Sequence, residues 1–355
     1  MRTDLVKLDK GDLHTAVGKE KLKQAAKLLR AGEVVAFPTE TVYGLGANGM
    51  DVHASLKIYE AKGRPSNNPL ILHIAEFDQL DGIARDISED AWKLMKAFWP
   101  GPMTIILHKR EEVPVETTGG LSTVAVRMPS HPVARELILQ AGVPIAAPSA
   151  NKSGRPSPTE AIHVMEDMEG RIPMILDGGK VGIGIESTIV DMTEEKPVIL
   201  RPGFITPEMV DEIVSGVTID PAIMGGPLAE GLKPKAPGMM YRHYAPLGDM
   251  WLVEGAMEDV VRKINEMTKE QQQLGYKVAV IGTDENIGDY QADIVRSIGS
   301  RKDPAQIGAS LYGTLREMDQ LGVQIIYAES YGEEEFFGAI RNRILKAAGY
   351  QVLKV

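Results

Sequence analysis

The sequence predicts an α/β protein in two parts, a mixed α/β domain followed by a small parallel one. Three observations carry that reading. Short apolar runs bounded by Gly and Pro alternate with stretches of helical period over all 355 residues. Up to residue 205 strands and helices mix with no single repeated βα unit. Beyond residue 246 they alternate strictly, the pattern of a doubly wound parallel sheet. At roughly 150 residues per domain the length makes about two domains. Such a chain can bury a core without disulfides or a structural metal.

The elements follow in order. The spacing of apolar residues predicts a helix over 17–31, closed by Gly32. VVAFP (34–38) reads as a buried strand ended by Pro38, and a second helix covers 51–61. PLILHIA (69–75) is a strand buried on both faces. SEDAWKLMKAFWPG (88–101) has a helical period and stops at Pro100 and Gly101. MTIILHK (103–109), TVAVRMP (123–129) and VPIAAPSAN (143–151) are short strands, and HPVARELILQAG (131–142) is a helix between the last two. Residues 219–246 break the rhythm, rich in Pro, Gly and Met and without a period. A domain spanning 1–215, a linker over 216–246 and a second domain over 247–355 are expected. The linker exceeds what a compact domain leaves unstructured, so it stays unstructured or lies on another surface. Its cluster Tyr241, Arg242, His243 and Tyr244 is rich in side chains that stick. MWLVEG, YKVAVIGT, ADIVRSIG and VQIIYAES then read as strands. Helices begin at 257, 303 and 337.

Composition excludes several functions. The formal charge of −10 opposes non-specific nucleic-acid binding, because phosphates would be repelled. The chain has no Cys, hence no disulfide, thiolate metal site or Cys nucleophile. The first residues are polar, so no signal peptide is expected, and no apolar run of about 18 residues predicts a membrane span. A cytoplasmic protein is the expectation. There is no G-x-x-x-x-G-K-[ST], no G-x-S-x-G and no H-E-x-x-H, and GIG at 182–184 does not complete G-x-G-x-x-G. The seven His show no metal-ligand spacing. His73, inside LILHIA, reads from the residues alone as a satisfied core histidine.

Five segments carry chemistry, each with a plainer alternative. PTETVYGLG (38–46) offers two hydroxyls and turn N–H groups, or a turn capped by Thr41. KGRPSNNPL (62–70) sets Lys62 and Arg64 to converge on a polyanion, or forms a solvated basic loop. Arg127 ends an apolar strand and needs a carboxylate or phosphate, structural or bound. APSANKSGRPSPT (147–159) gathers Ser149, Asn151, Ser153, Ser157, Lys152 and Arg155 in a Gly/Pro-framed loop, an oxyanion cradle or a common Ser/Pro loop. GIGIESTIVD (182–191) opens a strand at Ser187 and Thr188, and Arg201 closes the next. Six cations inside an acidic chain, Lys62, Arg64, Arg127, Lys152, Arg155 and Arg201, suggest one focused anion site.

At PTETVYGLG, KGRPSNNPL, PSANKSGRPSPT and ESTIVD the chain resembles the YrdC-like threonylcarbamoyl-AMP synthases in their longer two-domain form. The motifs span about 22–203, and HYAP (243–246) with NRILKAA (342–348) extends the likeness to the second half. The resemblance implies an open, twisted α/β sheet with a concave basic site, then a Rossmann-like domain. It implies synthesis of threonylcarbamoyl-adenylate and pyrophosphate from L-threonine, bicarbonate and ATP. The product goes to a separate transferase that modifies tRNA, and neither membrane attachment nor stable nucleic-acid binding is expected. Thr39, His73, Arg127, Ala147 (through its backbone) and Ser187 match threonine-side positions. Lys62, Ser66, Thr123, Ser149, Asn151, Ser157, Arg201 and Tyr244 match nucleotide-side positions, and Lys62 with Arg64 are the catalytic cations. Mg2+ is expected to arrive on the ATP phosphates, with no protein metal cage. An RNA-binding module using the same concave basic patch is the alternative.

Overall fold

The apolar runs at Val35–Phe37 and Ile71–His73, and most of Met103–Lys109, are buried on both faces, which is why they do not alternate. The computed structural model describes residues 1–223, 236, 243–331 and 335–355. The chain divides into two compact units. One comprises Met1–Ser153, Ser157–Gly182 and Glu186–Met240; the other comprises Gly154–Pro156, Ile183–Ile185 and Tyr241–Val355. Most of the expected linker, Tyr241 and Arg242 included, lies outside the described residues.

The first unit is built on one mixed sheet. Its strands are β1 (Asp4–Lys7), β2 (Val35–Phe37), β3 (Gly44–Asn48), β4 (Ile71–His73), β5 (Ala84–Arg85), β6 (Met103–Lys109), β7 (Thr123–Arg127), β8 (Ile145–Ala146), β9 (Met174–Asp177), β10 (Thr188–Asp191), β11 (Val198–Arg201) and β12 (Thr218–Ile219). The spatial order is β1-β9-β2-β3-β8-β4-β7-β6-β10-β11-β12, with β5 paired to β6. Alternate residues of each strand enter different cores. Leu72, Ile105 and Val126 join one core with residues of the helices Val52–Lys62, Glu89–Phe98 and Ala161–Met168. Val35, Phe37 and Ile145 join another under the helices Ala16–Arg30 and Pro132–Ala141. A smaller apolar strip, Ile71, Ile106, Ala125, Ile189 and Leu200, also buries Ala236 completely. One residue of the expected linker therefore does lie on another surface.

Local chemistry sets the ends that matter. Asp51 accepts from the N–H groups of His53 and Ala54 and starts Val52–Lys62; such a cap contributes about 1 kcal/mol. Gly63, at φ 63°, stops that helix at Lys62. Several elements are not visible in the sequence patterns. Gly44–Asn48 is Gly-rich and poor in strand formers. Asp4–Lys7, Met174–Asp177 and Pro207–Ile213 are short segments whose partners lie far away in sequence, and Ala161–Met168 is a short helix that packs on β9.

The second unit matches its expected class. Strands β13 (Asp249–Glu254), β14 (Val278–Gly282), β15 (Ile294–Ser297), β16 (Ile325–Glu329) and β17 (Val352–Lys354) form an all-parallel sheet in the order β15-β14-β16-β13-β17. The edge strand β17 is a finding the sequence pattern does not give. Among the described residues no helix is long and apolar enough to cross a membrane.

Candidate active site

Sheet register assembles the centre of the site. His73 on β4 pairs with Arg127 on β7, and Arg127 pairs with Thr104 on β6. Residues paired in this way point to one face, so the three side chains form a row about 10 Å long, at about 4.8 Å per strand. Beside it, Ser187 Oγ lies 2.7 Å from Thr104 Oγ1. Arg201 donates from Nη2 to Ser187 Oγ and from Nε to Ser187 O, both at 3.0 Å. All these side chains are buried.

The Thr-x-Thr turn closes the row. Thr39 Oγ1 donates to Val42 O at 2.6 Å, lies 2.9 Å from Thr41 Oγ1 and accepts from the Thr41 and Val42 N–H groups. Arg127 donates from Nη1 to Thr41 Oγ1 at 2.9 Å and from Nε to Gly101 O at 3.3 Å. Its Nη2 meets Glu40 Oε1 at 2.7 Å. Neither of those two buried atoms makes a hydrogen bond, so the pair is a charge contact off the hydrogen-bonding line. The other Glu40 oxygen accepts from Ser130 N–H at 3.1 Å. Glu40 and Thr104 have no place among the expected site residues. The only sequence signal for Thr104 is a hydroxyl inside the apolar run MTIILHK.

His73 is held neutral. Burial, and then the Arg127 charge, push its pKa down to about 3. Its Nδ1 lies 3.1 Å from Ile71 O, which can only accept. With Nδ1 donating to that carbonyl the neutral ring keeps Nε2 as its acceptor, and the Ile145 backbone is a second partner of the ring. Ile71 O also accepts the Ala147 N–H at 2.9 Å, so only the carbonyl of Ala147 is left to face a ligand.

The second group of expected residues gathers on the 147–159 loop. Lys62 Nζ donates to the carbonyls of Ser149 and Asn151. Asn151 Nδ2 donates to Lys152 O, and Ser149 bridges to Gly44 of β3. Arg64 Nη2 donates to Asn68 O and Pro69 O, while Ser66 is exposed on the same turn. Ser157, fully buried, donates to Glu186 Oε1 at 2.6 Å, one residue before Ser187. Thr123 starts β7, about 13 Å along the strand from Arg127. Two residues fall in the second unit. Arg155 belongs to the second unit, where it pairs with Asp319 at 3.1 Å, so it leaves the cation set. Tyr244 also belongs to the second unit, with its ring 5.2 Å from that of Tyr312.

Among the described residues no three His, Asp or Glu stand together as metal ligands. The alternative of an RNA-binding patch is not favoured: Lys62, Arg127 and Arg201 are 3%, 4% and 6% exposed, too deep to track a phosphate backbone.

A mixed sheet that turns buried cations, hydroxyls and a neutral imidazole to one face, with no Cys nucleophile, defines an α/β enzyme that aligns anions. A family model described as "Telomere recombination", for the Sua5/YciO/YrdC group, matches residues 27–203, and one described as the threonylcarbamoyl-AMP synthase C-terminal domain matches 205–349. The chain belongs to the threonylcarbamoyl-AMP synthases, enzymes of the nucleotidyltransferase type. It is 50% identical to the threonylcarbamoyl-AMP synthase of Pyrococcus abyssi, over 94% of this chain and 96% of that one. It is 48% identical to that of Bacillus subtilis, over 94% of each. The crystal structure of P. abyssi Sua5 complexed with L-threonine superposes at a TM-score of 0.92, with 47% identity over 99% of both chains.

Proposed function

We propose that this chain condenses L-threonine, bicarbonate and ATP into L-threonylcarbamoyl-adenylate and pyrophosphate, and that a separate transferase carries the product to tRNA. The observation that supports it best is the buried row His73–Arg127–Thr104 with Ser187 and Arg201 beside it. In this reading the threonine carboxylate takes the Arg127 edge now facing Glu40. The neutral His73 accepts from the substrate at Nε2, and the hydroxyls of Thr39 and Ser187 complete the contact. The threonine amine attacks the carbon of bicarbonate-derived CO2, loses a proton and becomes a carbamate. A carbamate oxygen then attacks the α-phosphorus, and the bond to the pyrophosphate oxygen breaks.

That step needs alignment and charge stabilisation more than acid–base chemistry. Lys62, fixed by two carbonyls, and Arg64 neutralise the phosphates. Ser66, Thr123, Ser149, Asn151, Ser157 and Arg201 form the nucleotide side. Mg2+ bound to the triphosphate supplies further neutralisation of the leaving pyrophosphate. The test is pyrophosphate release from ATP and Mg2+ with threonine and bicarbonate omitted in turn. Release that needs both is expected; release indifferent to threonine overturns the reading.

A further inference from the structure

We infer that the second unit has a binding site of its own, at the C-terminal edge of its parallel sheet, for a small molecule that presents an oxyanion to Arg301 and Tyr331. Topology places it. The chain leaves β13 toward β14 through the helix Met257–Gln273, and leaves β16 in the opposite direction toward β17 through the helix Glu335–Ala347. Right-handed crossovers that run in opposite directions lie on opposite faces. Packing agrees. Met257–Gln273 covers Trp251, Val253, Val278, Val280 and Tyr327. The alternate residues Leu252, Ala279, Ile281, Ile326 and Ala328 are buried on the other face, and Glu335–Ala347 packs on β13. Because β13 and β16 are neighbours, their exits part and leave a crevice. In open α/β sheets this is where ligands bind.

The side chains at that edge are built around one acid. Glu329, the last residue of β16, is fully buried. Its Oε1 accepts from Thr283 N–H, Thr283 Oγ1 and Arg301 Nη2; its Oε2 accepts from Asn286 Nδ2 and Tyr290 OH. Gly282 leaves room for it, since a Cβ there would stand 2.8 Å from the Tyr290 ring and 3.2 Å from Glu329 Oε2. This carboxylate is saturated, so its work is to hold Arg301, whose Nη2 also donates to Ser330 O at 2.9 Å.

What remains on Arg301 and beside it is unmatched. Arg301 Nε and Tyr331 OH are buried and find no hydrogen-bond partner among the described residues. Tyr331 is 3% exposed, its ring stacked 6.2 Å from Phe337 and 5.3 Å from the guanidinium carbon. A buried donor without an acceptor is unfavourable. Two such donors beside a fixed cation indicate a missing acceptor. The N-terminus of Met257–Gln273 adds to the field: Ala256 gives it no side-chain cap, and Met257 Sδ lies 3.2 Å from Arg301 Nη2. Arg301 keeps 28% of its side chain open, which leaves a way in. The unit has no Gly-rich phosphate loop, so the ligand is a carboxylate or a single phosphate group, not a dinucleotide.

The experiment is thermal unfolding of the full chain in sodium phosphate and in sodium acetate, against chloride at equal ionic strength. Without either anion, Tyr331→Phe melts above wild type, because it removes an unpaired hydroxyl. One anion raises the wild-type Tm by about 2 °C or more at ten times its Kd, and that rise is lost in Tyr331→Phe and in Arg301→Lys. Which anion acts distinguishes phosphate from carboxylate. A rise equal in wild type and both variants belongs to the first unit and overturns the proposal, as does no rise with either anion. The readout is independent of pyrophosphate release, so this site and the proposed reaction stand or fall separately.

Discussion

Each unit buries an arginine against a glutamate, and the two pairs are finished differently. In the first unit Arg127 and Glu40 touch at 2.7 Å, yet the touching atoms make no hydrogen bond. In the second, Glu329 accepts five hydrogen bonds and one of them comes from Arg301. A buried ion pair stabilises a fold only when its remaining lone pairs and protons are satisfied. Glu329 meets that condition on the carboxylate side and holds the Nη2 edge of Arg301 as a fixed part of the structure, leaving Nε unmatched. Arg127–Glu40 does not, and in the proposed reading its guanidinium edge is the one that a substrate carboxylate takes. The difference teaches that the hydrogen bonds around the carboxylate, more than its burial, separate an ion pair that is fixed from one that can be exchanged.

The largest expected effect tests the exchangeable pair. Arg127→Ala lowers kcat/KM for threonine by roughly 100-fold, the upper end for a charge-assisted contact of about 1.5–3 kcal/mol. Lys62→Ala produces a loss of similar size that appears with ATP. The double variant Glu40→Gln/Arg127→Ala guards against misfolding from an unpaired carboxylate. Pyrophosphate release with varied threonine measures the first and with varied ATP the second. Wild-type turnover by a folded variant removes that residue from the site.

How far the sequence discloses this site depends on whether its parts are contiguous. Lys62, Arg64, Ser149, Asn151 and Ser157 stand in Gly/Pro-framed loops, where cations and hydroxyls are conspicuous. The row His73–Arg127–Thr104 is a product of strand order. β4, β7 and β6 are short apolar runs whose adjacency no local pattern specifies, and a one-residue slip of any one of them would turn its side chain out of the row. His73 accordingly reads as a core histidine, which by burial it is, and Thr104 does not stand out at all. Regular β13–β16 with their helices are legible because each turn there breaks a clear period. Gly44–Asn48 is not, because three residues of small volume carry the strand and its neighbours make it one.

The fixed pair gives the next effect. Glu329→Gln leaves Arg301 without its counter-charge and weakens bonds from Thr283 and Tyr290. A destabilisation of about 3 kcal/mol is expected, at the lower end for a broken buried pair because Arg301 is partly open to water. Denaturant unfolding measures it. A smaller change has the opposite sense in the first unit. Glu40→Gln removes the carboxylate that competes for Arg127, so the KM for threonine falls by up to about tenfold, equivalent to 1.4 kcal/mol. Stability changes by less than about 1 kcal/mol. If Glu40→Gln costs as much stability as Glu329→Gln, the distinction between the two pairs fails.

The smallest effect is a slope with pH, and it too separates the units. His73 and His131 are held neutral in the first unit, with pKa values pushed down to about 3 and about 4. Burial is the main cause in both, followed by Arg127 at His73 and by Lys10 at His131. Unfolded, each takes up a proton near pH 6.5. Between those values the unfolded chain binds more protons than the folded one, so stability is full above about pH 6.5 and falls as the pH drops toward 4. One such group contributes at most about 1.4 kcal/mol per pH unit. Replacing His131 by Gln, away from the row that faces substrate, flattens the fall by up to that amount while leaving the His73 share in place. Denaturant midpoints measured from pH 7 to pH 4.5 for wild type and His131→Gln report it. Equal slopes would mean that His131 is protonated in the folded chain despite its burial, with Glu40 as the nearby charge able to hold it so.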